Sequence, residues 1–289
     1  MADVVLRESP SLAPLFVKAA LTTRGRGGDL PSTVLRREGI TVDRDRLLAY
    51  QRVCGFGGSD DLPHTYPHVL GFPLQVALMA DRGFPLALPG LVHLENTITV
   101  HRRLTADDRL DVAVRAEDLR PHAKGRLVDL VTEVDVAGER AWEGRSTYLR
   151  RGSGGGPAGP EPEPAPELPD RAPAAVLRVP EGQGRAYAAV SGDVNPIHLH
   201  PLTARAMGFP RAIAHGMWTA ARTLAALGPG VNGPGTAGPG TSHVWFAKPV
   251  LLPSTVELLV DDRSDPVVAG LRSAKDPAVR HLTLTFARS

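Results

Sequence analysis

The chain has 289 residues, 42% of them hydrophobic and 22% charged, with a formal net charge of +2. That length suits two domains better than one core, and so balanced a charge supplies no field to draw the chain to nucleic acid. The single cysteine, Cys54, excludes an internal disulfide framework and fits a reducing compartment.

Residues 1–40 read as an N-terminal extension. Within it Ser11–Leu21, SLAPLFVKAAL, is the one signal-like stretch, but Asp3, Arg7 and Glu8 precede it and Lys18 interrupts it. No uninterrupted apolar run approaches the ~20 residues of a membrane span. The expectation is a soluble, cytoplasmic protein without membrane contact. Residues 41–150 form a first unit. A helix carrying Tyr50 (AYQRVCG, Ala49–Gly55) comes first, then an irregular stretch and a second helix. The segments HLENTITVHRRL, LDVAVRAEDL, GRLVDLVTEVDV and ERAWEGRSTYLRR then alternate as antiparallel strands do. Residues 151–170, RGSGGGPAGPEPEPAPELPD, are nearly free of large apolar groups and read as a linker making few contacts.

Residues 171–289 repeat the plan. AYAAVSG, Ala186–Gly192, echoes AYQRVCG, and GFP stands at both Gly71–Pro73 and Gly208–Pro210, each pair offset by 137 residues. Two matched units of this size point to a duplicated domain, since solenoid repeats have shorter periods. From Gly216 onward Met217, Ala220, Ala221, Leu224 and Leu227 recur at helical spacing, with Gly228 as the stop. SHVWFAKPVLL, TVELLVDD and VRHLTLTFAR read as strands. A central helix followed by several strands, twice, is an α+β plan with each helix packed on a curved antiparallel sheet.

The chemistry concentrates in YAAVSGDVNPIHLH, Tyr187–His200, where an aspartate, an asparagine and two histidines fall within eight residues. Asn195-Pro196 initiates a turn and stops a helix. Three readings are open: Asx-type turns, a metal site drawing on Asp193, His198, His200 and His215, or an acid–base pair. A Ser191 nucleophile is disfavoured, because the G-x-S-x-G elbow is absent.

YAAVSGDVNPIHLHPLTARAMGFPRAIAHGM, Tyr187–Met217, resembles the MaoC-like, (R)-specific enoyl-thioester hydratases, whose hallmark is S-G-D-x-N-P-x-H followed by G-F and H-G-M. The two-unit layout is similar to the bacterial double-hotdog 3-hydroxyacyl-thioester dehydratases. The resemblance implies a hotdog fold in each half and an intramolecular pseudo-dimer, with a homodimer of such chains as a further expectation. It also implies a coenzyme A or acyl-carrier-protein thioester substrate and no metal or other cofactor. Carried over, Asp193 and His198 are the catalytic pair, Asn195 a helper and Gly216 the oxyanion-stabilising amide. His215, Met217 and Lys248 are candidate substrate contacts, His215 as a buried group capping or bracing the helix start.

The residue types suit that chemistry on their own terms. Hydrating an enoyl thioester requires an activated water, a proton for Cα and a donor for the thioester oxygen. A carboxylate and an imidazole on one water contribute about 10²–10⁴-fold per proton transfer. A first-turn amide at Gly216 has no intrahelical partner and lies at the positive end of the helix dipole. The first unit departs from the pattern: at the 137-residue offset Asp193, Asn195, His198 and Gly216 meet Phe56, Gly58, Asp61 and Met79. Asp61, His64 and His68 stand nearby at the wrong spacing. One live and one dead half suggest a division of labour, with HTYPHVLGFPLQVALM lining an acyl tunnel or simply packing the core. A hydro-lyase leads; a hotdog thioesterase and a non-catalytic acyl-thioester-binding subunit are the alternatives.

Overall fold

The computed structural model describes residues 2–23, 25–152, 163–227, 238–263 and 265–288. Strand β1 (Ala2–Val5) and helix α1 (Leu12–Leu21) precede β2 (Thr33–Ile40), α2 (Arg44–Cys54) and α3 (Tyr66–Ala80). Four long strands follow: β3 (Leu91–Val100), β4 (Leu110–His122), β5 (Gly125–Val136) and β6 (Glu139–Arg151). The second unit runs through β7 (Ala175–Val179), α4 (Gln183–Ser191), α5 (Pro196–Leu199), α6 (Pro201–Ala206) and α7 (Gly216–Ala225). It closes with β8 (Gly240–Phe246), β9 (Ser254–Asp261), β10 (Val267–Ser273) and β11 (Arg280–Arg288).

These strands make one sheet, ordered β1-β2-β4-β5-β6-β3-β8-β11-β10-β9-β7. Leaving aside β1, which runs parallel to β2 at the edge, the order is a palindrome. Two antiparallel half-sheets of the same topology meet where β3 pairs with β8, from Glu95 opposite Trp245 to Val100 opposite Gly240. Helix α3 lies on β4 and β5, and α7 lies on β10 and β11. This is a double hotdog in a single sheet.

Local chemistry explains the helices. The Asp43 carboxylate caps α2 by accepting from the amides of Asp45 and Arg46, and Gly55 ends it in the left-handed region at φ 81°. Gly192 ends α4 at the same φ, so the two tyrosine-bearing helices match in their stop as well as their sequence. Helix α3 is apolar on nearly every side because it is buried from Tyr66 to Ala80. It seats closely on the sheet at Gly71, where a Cβ would stand 2.5 Å from Thr132 Cγ2.

The units share their core as well as their sheet. The Tyr50 and Tyr187 rings lie 6.1 Å apart, the Trp218 indole donates to the Val53 carbonyl at 3.0 Å, and Arg46 Nε donates to the Val190 carbonyl at 3.0 Å. One buried cluster runs from Leu47 and Trp142 to Met217 and Leu258.

Several expectations need correction. The 137-residue offset holds for the tyrosine helices and fails beyond them: Gly71–Pro73 lies within α3, whereas Gly208–Pro210 follows α6, with Gly208 at φ 91°. The repeated GFP is therefore not a structural repeat. Met79 lies near the end of α3, so the counterpart of Gly216 at a helix start is Tyr66. Ser11–Leu21 holds an amphipathic helix, with Leu12 and Ala19 buried and Val17 and Leu21 exposed. Strand β2 lies before residue 41, inside the segment set apart as an extension, and pairs with β4. Strands β2, β7 and β10 are short or flanked by charge, which hid them. SHVWFAKPVLL stops being strand at Phe246. Of the linker, residues 153–162 lie outside the described residues, as does Gly228. Its remainder packs: the Glu163 carbonyl accepts from Trp245 Nε1 at 3.1 Å, and Glu167 pairs with Arg280 at 3.0 Å. Among the described residues no helix is long and apolar enough to cross a membrane.

Candidate active site

The turn after α4 is built by nested side-chain-to-backbone hydrogen bonds. Ser191 Oγ donates to the Tyr187 carbonyl at 2.8 Å and accepts from the Asp193 amide at 3.1 Å. Asp193 Oδ1 accepts from the Asn195 amide at 3.1 Å, and Asn195 Oδ1 caps α5 through the Ile197 amide at 3.4 Å. These are the Asx-type turns that the residue types allow, and they aim other groups. His198, on α5, donates its Nδ1–H to the Ile213 carbonyl at 2.9 Å. A carbonyl only accepts, so the neutral ring carries its proton on Nδ1 and leaves the Nε2 lone pair free.

His215 donates Nε2–H to the Asp193 carbonyl at 2.9 Å, and the same nitrogen stands 3.8 Å from Asp193 Oδ2. Its ring stacks on that of His198, centroids 3.7 Å apart and planes 27° apart. His215 braces the turn that carries Asp193, but its side chain does not cap α7. Helix α7 begins at Gly216, whose amide is a first-turn donor. Phe246 packs there, 3.2 Å from the position a Cβ would take.

Electrostatics favour a proton-transfer site. Burial raises the Asp193 carboxyl above the usual carboxylate range, opposed by the charge of His198 and the Asn195 amide. Burial lowers His198, opposed by Asp193 and the Ile213 carbonyl. His215 is pushed well below its ordinary value by burial and by neighbouring His198. The carboxyl rises and the imidazole falls, bringing two unlike groups toward similar pKa values, as reversible proton exchange requires.

Asp193, Asn195, His198, His215, Gly216, Met217 and Lys248 all line one cavity of about 300 Å³. Every site residue expected from the sequence is thus brought together, with Lys248 at the exposed rim. His200 is not among them; it caps α6 through the Leu202 amide at 3.2 Å. The ligand atoms of Asp193, His198 and His215 lie within 4.8 Å of one another. The geometry would therefore accommodate a cation between the two imidazoles and the carboxylate, and the donor set by itself does not discriminate.

The sequence reading missed three contributions. His93 and Tyr148, from β3 and β6 of the first unit, line the same cavity as His68. Their rings stack at 4.5 Å, His93 Nε2 is buried without a partner, and Tyr148 lies close enough to Asp193 for that charge to add to the effect of burial in raising its phenol. No local motif marks them, because strand pairing across the chain places them there. Gly184 is the third: a Cβ on it would stand 1.9 Å from the His198 carbonyl, so a glycine on α4 is what lets α5 seat.

The corresponding end of the first unit is filled. His64 Nε2 hydrogen-bonds Ser242 Oγ at 2.9 Å, its carbonyl accepts from Trp142 Nε1 at 2.9 Å, and its ring meets Phe286 edge-on at 5.5 Å. Asp61 accepts from Arg103 Nε at 2.6 Å. Neither side chain reaches the cavity. Of HTYPHVLGFPLQVALM, the cavity takes His68, Val69, Phe72 and Met79, while Leu74, Val76 and Leu78 are buried in the core. The segment is thus divided between cavity wall and core.

The molecule is thus a double hotdog in which the Asp193–His198 turn and the start of α7 line one cavity. Comparison with known proteins agrees. Residues 160–269 match the MaoC-like domain. The chain is 43% identical over 243 residues to 3-hydroxyacyl-thioester dehydratase X of Mycobacterium tuberculosis, covering 83% of this chain and 84% of that protein. It is 30% identical to a peroxisomal enoyl-CoA hydratase 2 of Arabidopsis thaliana, over 49% of this chain and 52% of that one. The crystal structure of HtdX from M. tuberculosis superposes with a TM-score of 0.76 and 38% identity, covering 89% of this chain and 100% of that chain. The chain belongs to the MaoC-like dehydratase family.

Proposed function

We propose that the protein is a hydro-lyase of fatty acid metabolism that interconverts trans-2-enoyl and (R)-3-hydroxyacyl thioesters carried on coenzyme A or acyl carrier protein. The observation that carries this reading is the placement of Asp193 and His198 with the Gly216 amide around one largely apolar cavity. In hydration the water oxygen bonds to C3, the Asp193–His198 pair takes a proton from it, C2 gains a proton, and charge on the thioester oxygen is held by the Gly216 amide. Dehydration is the reverse. His198 acts through Nε2, Asn195 orders the turn, and Met217 and Lys248 contact acyl and carrier groups. An oxyanion donor of this kind is worth about 10²–10³ in rate.

A cytoplasmic location belongs to the same proposal, as does a division into two hotdog units, the first of which takes in β2. A thioesterase would have to direct its water to the carbonyl carbon, and the complete Asp193, Asn195 and His198 set of the hydratase motif argues against it. The test is loss of enoyl absorbance on adding crotonyl-CoA and longer homologues, with chiral analysis of the product. Release of free thiol without hydration would replace this reading with hydrolysis.

A further inference from the structure

Helix α1 touches both units and contributes Phe16 to the cavity wall. Its inward face follows helical spacing: Leu12, Leu15, Phe16 and Ala19 pack on the core, while Val17 and Leu21 face solvent. At its start Leu12 Cδ1 lies against the turn that carries Asp193, 3.4 Å from where a Cβ on Gly192 would stand. One turn on, Phe16 lines the cavity together with Phe72, Met79 and Leu88 of the first unit. The body of α1 packs on α3.

The segment C-terminal to α1 fixes the helix in place. The Arg26 guanidinium donates to the carbonyls of Asp81 at 2.8 Å, Met79 at 3.1 Å and Phe84 at 3.2 Å, and its Nε donates to Thr22 at 2.7 Å. The C-terminal end of α3 and the loop after it are thereby stapled to this segment. Charged donors to several carbonyls hold a backbone more tightly than neutral ones. The helix is a strap, anchored at the catalytic turn on one side and at the acyl-side wall on the other.

We propose that this strap sets the acyl chain length the enzyme accepts, with Phe16 as the residue that stops the chain. The inference rests on the hydro-lyase reading above. The polar end of the cavity holds the reacting carbons at Asp193 and Gly216, so a growing chain extends toward Phe72, Met79 and Leu88, where the Phe16 ring forms the strap's contribution to the wall. A cavity of about 300 Å³ is at the small end for ligand sites, so one ring removed or added there changes which chains fit. One methylene gained or excluded in such a pocket is worth roughly 10-fold or more in discrimination.

The experiment measures kcat/KM of the full-length protein over a ladder of trans-2-enoyl-CoA thioesters from short to long. Phe16→Ala moves the optimum to longer chains, with about 10-fold gain on the first homologue that wild type rejects. Phe16→Trp moves it to shorter chains. Phe16→Leu, a smaller change that spares folding, shifts the profile in the same direction as Ala by less. A structural role alone would lower turnover at every length alike, and such a uniform loss, or an unmoved profile in the three variants with wild type active, overturns the strap proposal. Wild type inert on the entire ladder would overturn the hydro-lyase reading beneath it, a distinct result.

Discussion

The two ends of the β3–β8 seam have the same architecture and opposite fates. At one, the turn after α4 opens a cavity lined by Asp193, His198 and Gly216; at the other, His64, Trp142 and Phe286 fill the space. The scaffolds match down to the left-handed glycines Gly55 and Gly192. What differs is the connection between the tyrosine helix and the central helix. Eleven residues, 55–65, link α2 to α3, whereas 24 residues, 192–215, link α4 to α7. The thirteen extra residues make room for α5 and α6, and α5 carries His198. The hotdog unit supplies a helix N-terminus and a sheet; the longer connection brings an imidazole into the cavity beside them.

The most severe way to break the active end is at the pair itself. Asp193→Asn and His198→Ala are each expected to lower kcat by at least ~10²-fold with the fold intact by circular dichroism. The double variant should lose much less than the product of the two, because the groups act as a unit. Next comes Gly184→Ala, whose methyl would collide with the His198 carbonyl. Steady-state kinetics should show about a 10-fold or greater drop in kcat from the displaced ring, an effect of the kind misplacement produces.

Acid tests both ends together. Burial depresses His64 and His68 to about 4, and His93 to about 3, from an ordinary 6.5. Their unfolded forms bind protons first, so stability is full above pH ~6.5 and falls as pH drops from there toward 4, by roughly 2–3 kcal/mol per histidine. The raised Asp193 carboxyl works in the opposite sense and offsets a part. Urea midpoints between pH 7 and 4.5 measure the slope, and a flat profile would contradict neutral burial.

The filled end should respond in stability alone. His64→Ala removes a buried ring and its bond to Ser242, an expected loss of about 2–4 kcal/mol, and Asp61→Ala should destabilise less; kcat stays within about 2-fold for both. The smallest effect expected is none. Prolonged chelation should leave activity unchanged and metal analysis should find no stoichiometric ion, since Asp193 and His198 are proposed to be engaged with water. Activity lost to a chelator and restored by zinc would assign the Asp193–His198–His215 triangle to a metal instead.

The sequence by itself determined the strands β4, β5 and β6 and the Asp193–His198 turn, because these depend on near neighbours, and the duplication through its matched tyrosine helices. Alternation writes a half-buried strand, Asn195-Pro196 writes a turn, and Asp193 to His198 lie within one turn's reach. The α1 segment, with its apolar composition and single lysine, was legible as apolar but not as a strap. Its identity depends on Gly192 and Arg26's distant carbonyls, at separations of more than fifty residues. The repeated GFP misled for the related reason that three letters fix no environment: Gly71 serves close helix–sheet packing, and Gly208 serves a positive φ. Only the tertiary structure decided that His93, Tyr148 and Phe16 meet Asp193 and His198 across one cavity, and that His64 does not. Burial and long-range pairing place those groups, and neither leaves a periodic trace along the chain.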